Sequence, residues 1–372
     1  MVLTVLEEVC LIIAAIYLYN QARDRYKLKK SGLVSPQNSP WQHLLHCGDE
    51  TNFLAITGFN YVAFRSLKTL LVQHGKIPDP GRAGRPFTLD ADGRLGIMLF
   101  YLSSKMPIKH LCMIFGCSPT IAERCIDNSL EYLIEILSNH PTSKVSFPTV
   151  DEMIHFATLI YQRDGVVRDV IGFLDGLSIP VCCSSDELEQ SAYYNGYHHD
   201  TMVNNVLFFT PDGKISYAAI NYPGSWHDAT VSSRFIQKVI RCIGDFKICV
   251  DQGFPRKGDL LEVFVGPINV RTRNQLATPL RGLMLDRHNR YVSLRQASEW
   301  GMRALQGSFS RLKARLTSHK SRRHAIIMCC VLLHNWRTEY VGLNQIATVF
   351  NPEYLKVINI EGYDRIARYY AR

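Results

Sequence analysis

The chain has 372 residues, 47% hydrophobic and 20% charged, which is enough for two or three compact units and excludes a mostly disordered protein. Lysine and arginine number 42 against 33 acidic residues, a net charge of +9, and this favours a polyanionic partner, nucleic acid first. The eleven cysteines form no CxxC unit and several lie in apolar runs, the pattern of buried thiols in a reducing compartment rather than of a disulfide framework.

Residues 1–30 read as a helix. Its apolar run, Val9 to Tyr19, follows Glu7 and Glu8 and precedes the basic stretch NQARDRYKLKK. It is too short to span a bilayer, so a buried helix is expected and no membrane partner. SGLVSPQNSPW (residues 31–41) reads as a Ser/Pro linker. WQHLLHC offers His43, His46 and Cys47 at ligand-like spacing, but no second half completes a zinc site. A loop from Gly75 to Gly93 separates two helical stretches, and the pattern is helical from Arg94 to Leu137.

Within that stretch, Met106 to Leu130 resembles a helix-turn-helix. Gly116 sits at the turn, Ser118 at the cap and Pro119 at the first helical position. The second helix carries Arg124, but also Glu123, Asp127, Glu131 and Glu135. That charge set is poor for lying along phosphates, so base reading and a purely structural helical pair stand as equal alternatives. Thr149 and Glu152 have the spacing of a capping box and open another helix.

After Gly165 the texture changes. VVRDVIGFLDGLSIPVCC is β-branched and apolar, the mark of a buried strand. TMVNNVLFFTPDGKISYAAINYPG reads as two strands joined at Pro211-Asp212-Gly213. DATVSSRFIQKVIRCIG reads as an amphipathic helix, FKICVDQGF and GPINVRT as further strands, and Ser293–Leu316 and RRHAIIMCCVLLHNWRTEY as helices. The expected fold class is α/β: a mixed sheet flanked by helices, preceded by an all-α N-terminal unit. The expected division is 1–45 (helix and linker), 46–147 (helix-turn-helix-like domain), 148–340 (catalytic domain) and 341–372 (tail).

Three acids sit at element boundaries: Asp175 inside the first strand, Asp251 ending a later strand before Gly253, and Glu299 on a helix. A carboxylate in an apolar strand is costly unless it is paired or binds a metal. If the two strands are parallel neighbours, Asp175 and Asp251 meet at one sheet edge, and a helix packed there can bring in Glu299. Clustered carboxylates repel unless cations hold them. Hard oxygen ligands suit two Mg²⁺ or Mn²⁺ ions, which serve phosphodiester chemistry. His227 and Asp228, in GSWHDATV, frame the same site as supporting residues or DNA contacts, with Asp228 also able to cap the helix that follows. Arg311, Lys313, Arg315, Lys320, Arg322 and Arg323 follow Glu299, and Arg271 and Arg273 end a strand. These cations could line a path for double-stranded DNA.

The blocks FLDGLSIPV, YYNGYHHDTMVNNVLFFTPDGKI, NYPGSWHDATV, VDQGFP, EWGMRALQGSFSRLK and CCVLLHNWR follow one another in a way that resembles transposases of the PIF/Harbinger superfamily. The resemblance covers Val166 to Arg337. It implies an RNase H-like domain with the DDE triad Asp175, Asp251 and Glu299, the last two separated by 47 residues. It also implies metal-dependent cleavage and strand transfer of transposon ends and a Myb-like DNA-binding partner protein; a homo-oligomer is compatible with it, and the basic runs YKLKKSG and HKSRRH suit nuclear import and a nuclear location. The rival expectation is a domesticated nuclear DNA-binding or interaction protein that has kept the fold without transposing.

Overall fold

The structure is a computed structural model, and it describes residues 5–24, 28–77, 88–256, 258, 260–268 and 278–351. A first helix spans Val5–Asp24. Its apolar residues, Leu11, Ile12, Ile13 and Leu18 among them, are exposed rather than buried. No helix among the described residues is long and apolar enough to cross a membrane.

Helices Pro40–His46, Glu50–Thr57, Tyr61–Gln73, Ala91–Ser103, Ile108–Phe115 and Pro119–Leu137 form the N-terminal helical region. The two helices of the helix-turn-helix-like stretch meet at Gly116, whose φ of 66° is one that a side chain would resist. A Cβ there would also lie 2.4 Å from the Val34 carbonyl oxygen, so the turn is glycine for two reasons. Helix Pro119–Leu137 is buried along Ala122, Ile126, Leu130, Leu133 and Leu137, while Glu123, Glu131 and Glu135 face outward. Thr149 and Glu152 form the capping box that opens helix Val150–Asp164.

The strands are β1 (Val170–Pro180), β2 (Tyr194–Asn195), β3 (Asp200–Phe209), β4 (Ile215–Pro223), β5 (Lys247–Val250) and β6 (Phe264–Val265). They run β2–β3–β1–β5–β6, with β4 also pairing β3. β3 is antiparallel to β1 and β4, whereas β5 runs parallel to β1 and β6 parallel to β5. Three antiparallel strands followed by parallel ones make an RNase H-like mixed sheet. From Phe173 onward, alternation along β1 sends Phe173, Leu177 and Ile179 to one face and Leu174 to the other, which Ile171 joins because the strand is irregular between Val170 and Phe173. The first face shares a continuous core with helices Thr278–Ser308 and Lys320–Tyr340 and with the helical region. The second packs against helices Val150–Asp164 and Ser233–Cys242.

Three sequence expectations shift. The amphipathic helix is two helices, Asp228–Val231 and Ser233–Cys242, meeting at Ser232. A short strand lies at Phe264–Val265, just before GPINVRT, and residues 269–272 of that stretch lie outside the described residues. Finally, the helix bearing Glu299 ends at Ser308. Phe309, Leu312 and Leu316 are all buried, and their spacing mimics a helix. Phe309 instead leaves helical geometry at φ −118°, ψ 75°. Leu316 then pairs with the end of β1: its N–H donates to the Pro180 carbonyl and its carbonyl accepts from the Cys182 N–H.

The β3–β4 hairpin turns at Pro211-Asp212-Gly213, with Gly213 at φ 83°. It is anchored from behind: His334 Nε2 lies 3.0 Å from the Gly213 carbonyl oxygen, which also accepts from Asn344 Nδ2 at 2.8 Å. Burial pushes the His334 imidazole down to about 4. The unfolded chain therefore binds a proton near pH 6.5 that the folded chain refuses until about pH 4, so stability falls as pH drops through that window. The loss is on the order of 3 kcal/mol. In urea melts at pH 7 and pH 4.5, His334→Gln is expected to lose less stability on acidification than the parent; equal losses would contradict this.

Candidate active site

The site begins with a register. β1 and β5 are parallel, and Leu174 is paired with Val250. The next residue on each strand is an aspartate, Asp175 and Asp251. Alternation places Asp175 on the face of Phe173 and Leu177, the one covered by helix Thr278–Ser308. That helix presents Ser298, which is fully buried. Its Oγ lies 2.8 Å from Asp175 Oδ2 and 2.8 Å from the Arg295 carbonyl oxygen, so its one proton serves either acceptor. The Gly176 N–H donates to Asp175 Oδ1 at 2.9 Å.

Burial raises the Asp175 carboxyl above the usual range. The Ser298 and Gly176 hydrogen bonds pull it back, and the charge of Asp251 raises it again. Asp228 is also raised, by burial first and then by the charges of Asp175 and Asp251. Asp228 reaches the site across Gly176. A Cβ on Gly176 would stand 2.5 Å from both Asp228 carboxylate oxygens, and a Cβ on Gly253 would stand 3.8 Å from one of them. The absence of a side chain at Gly176 is thus what lets the third carboxylate approach. His227, at the N-terminal end of the same short helix, is exposed and makes no cap with its side chain.

Glu299 is one residue past Ser298, on a more exposed face of the helix. Arg295 Nη2 holds Glu299 Oε1 at 2.6 Å, and Arg295 Nε lies 3.9 Å from Asp251 Oδ1. A single guanidinium therefore stands between two of the expected triad members. At such exposure an i,i+4 pair of this kind contributes only about 0.3–0.5 kcal/mol, so it is readily exchanged for another cation. Among the described residues, no three His, Cys, Asp or Glu side chains stand close enough together to hold a metal ion as they are. The chemistry of the donors still fits one: hard carboxylate oxygens on adjacent strand ends, a third over a glycine cradle, and mutual repulsion that a divalent cation would relieve.

The predicted basic path divides. Arg311 is buried, donates to the Tyr101 carbonyl at 3.0 Å and the Met106 carbonyl at 2.6 Å, and stacks over the Tyr101 ring. Arg323 is buried, donates to Asn221 Oδ1 at 2.6 Å and to the Thr317 and Ser318 carbonyls, and stacks over Tyr193. Both guanidinium groups are spent on framework contacts. Arg315 forms a two-pronged pair with Asp200 at 2.8 and 2.9 Å, and Arg322 pairs with Asp127 at 2.9 Å. Lys313 and Lys320 are exposed. Arg271 and Arg273 lie outside the described residues.

Ser298, Arg295 and Gly176 were not singled out from the sequence. Arg295 and Glu299 do carry an i,i+4 signal, and Gly176 is adjacent to the strand aspartate. The Gly176 cradle can be tested by stability alone. Gly176→Ala is expected to cost roughly 1–3 kcal/mol through overpacking. Since the atoms in the way belong to Asp228, the penalty should largely vanish in an Asp228→Ala background. Strictly additive losses in denaturant melts would refute the contact.

Residues 174–335 match the family model described as DDE superfamily endonuclease. No curated protein and no solved structure gives a match. The matched segment begins one residue before Asp175 and takes in Asp228, Asp251, Arg295, Ser298 and Glu299. Endonucleases of this superfamily generally use divalent metal ions, and their substrate is DNA. Over residues 174–335, from β1 into the C-terminal helix Lys320–Tyr340, the chain is therefore similar to the DDE superfamily endonucleases.

Proposed function

We propose that the protein is a DDE transposase of PIF/Harbinger kind that cuts DNA phosphodiesters at the ends of a mobile element and joins the freed 3′-hydroxyl to target DNA. The observation that carries this reading is the pair Asp175 and Asp251, set side by side by the parallel register of β1 and β5 within the segment matching the DDE endonucleases. Asp175 and Asp251, with Asp228 beside them, are the residues that would hold divalent cations, Mg²⁺ or Mn²⁺; Glu299 is the fourth candidate ligand. When bound, such ions supply Lewis-acid activation of water and charge stabilisation at the leaving oxygen.

The chain's own groups do the rest. Ser298 fixes the orientation of Asp175. Arg295 keeps Glu299 close to Asp251 without a buried, unpaired charge. Exposed Lys313 and Lys320 are the members of the basic set best placed to meet phosphate. The acidic outer face of helix Pro119–Leu137 is ill-suited to phosphate, which supports a separate Myb-like protein as the source of sequence recognition. Such a substrate would place the protein in the nucleus.

The test is nicking of a supercoiled plasmid carrying candidate element ends, with Mg²⁺ or Mn²⁺ and the Myb-like partner. Asp175→Asn and Asp251→Asn should each lower the rate at least about a hundredfold, with unchanged circular dichroism. Asp228→Asn should weaken it less. Full activity in either of the first two variants would sink the reading. DNA binding without any cutting by the parent would favour the non-transposing alternative.

A further inference from the structure

The chain exposes aromatic rings on two turns, one of which leads into Asp228 and the other of which precedes β3. Tyr194 is 45% exposed, Tyr197 88% and Trp226 42%. Trp226 is two residues before Asp228, and its ring lies 5.6 Å from that of Tyr222. Tyr197 is next to His198 and His199, which are both exposed, and His199 adopts a φ of 51°.

The turns are tied together and to β1 by buried asparagines. Asn195 Oδ1 accepts the N–H groups of Tyr197 and His198 at 3.0 and 3.1 Å, while its Nδ2 donates to the Gly224 carbonyl at 2.9 Å. Asn204 Nδ2 donates to that same carbonyl at 3.2 Å and to the Trp226 carbonyl at 2.7 Å. Asn204 Oδ1 in turn accepts from Ser178 Oγ at 2.8 Å, and Ser178 is three residues beyond Asp175 on β1. Gly224 is required where the turns touch, since a Cβ there would stand 2.4 Å from the Met202 carbonyl oxygen and 2.5 Å from that of Tyr193. A hydrogen-bonded chain that starts at Ser178 on β1 therefore ends by fixing the backbone under Trp226 and Tyr197.

A single exposed apolar side chain needs no explanation. Three exposed aromatic side chains on two turns tied to each other, one of them leading into Asp228, do. Bases in a duplex hide their faces from side chains; unpaired bases offer them, and an aromatic ring takes any of the four. From this geometry we infer that Trp226 and Tyr197, with Tyr194, form a stacking platform for unpaired bases of the DNA strand that leads away from the cleaved phosphate, with Trp226 nearest the carboxylates. The turn itself carries His198 and His199, and Asp200 directly after it is paired with Arg315. The inference rests on the DNA-cleaving reading and adds to it a preference for substrate whose end is opened.

Binding can be measured with the full chain in EDTA, so that no cutting intervenes. The probes are a blunt duplex and the same duplex with a short unpaired tail, read by anisotropy and by tryptophan emission. Of the four tryptophans, Trp41 and Trp336 are each 1% exposed and Trp300 is half-buried under Arg163, so Trp226, 42% exposed, is the reporter best placed to be quenched by a stacked base. The tailed duplex should bind about tenfold more tightly than the blunt one and quench the emission. Trp226→Ala and Tyr197→Ala should remove most of that advantage while blunt-duplex affinity stays as in the parent. Trp226→Phe should keep the advantage and lose the quenching. Should the parent bind both DNAs equally, or Trp226→Ala discriminate as the parent does, the platform is wrong and DNA binding stands. Should the parent bind neither DNA, the DNA reading falls and the platform with it.

Discussion

The pairing of β1 with β5 is the constraint on which the rest depends. Because the two strands run parallel with Leu174 opposite Val250, two aspartates that are distant in sequence become neighbours at the point where the apolar strands end. Like charges so placed repel, and burial makes the repulsion worse by withdrawing water. The surrounding structure answers that cost in three ways. Ser298 and the Gly176 amide offer hydrogen bonds to Asp175, the Arg295 guanidinium stands beside Asp251, and the carboxyls of Asp175 and Asp228 keep their protons to higher pH than usual. None of these would be needed in a sheet edge with no task.

The framework around that edge is bound together by groups that look from the sequence as if they belonged to a ligand. Arg311, on the turn after helix Thr278–Ser308, ties that turn to the helical region through the carbonyls of Tyr101 and Met106. Arg323 ties the start of the C-terminal helix to Asn221 on β4. Trp336 donates to the Ala63 carbonyl at 3.4 Å. The Arg311 and Trp336 bonds run to the helical region, the Arg323 bond joins the C-terminal helix to the sheet, and one continuous apolar core passes through both parts.

Much of this was legible beforehand. The β-branched run holding Asp175, the Pro-Asp-Gly hairpin and the Thr149–Glu152 capping box depend on local chemistry, so the sequence displays them directly. So too does the placing of Asp251 at a strand end before a glycine. What stayed hidden depends on partners far along the chain. An arginine shows its charge in sequence but not the carbonyls that will surround it, so Arg311 and Arg323 read as phosphate contacts. Phe309, Leu312 and Leu316 keep helical spacing, yet the backbone of Leu316 is drawn to Pro180 and Cys182. Gly176 reads as an ordinary strand glycine until Asp228 arrives from the other face of the sheet.

The most direct measurement of the central claim is anomalous diffraction from crystals soaked in Mn²⁺. The account predicts a peak between the carboxylates of Asp175 and Asp251, on the side facing Asp228. A well-ordered site that shows no Mn²⁺ there at saturating concentration, with Arg295 still held between Asp251 and Glu299, would contradict it.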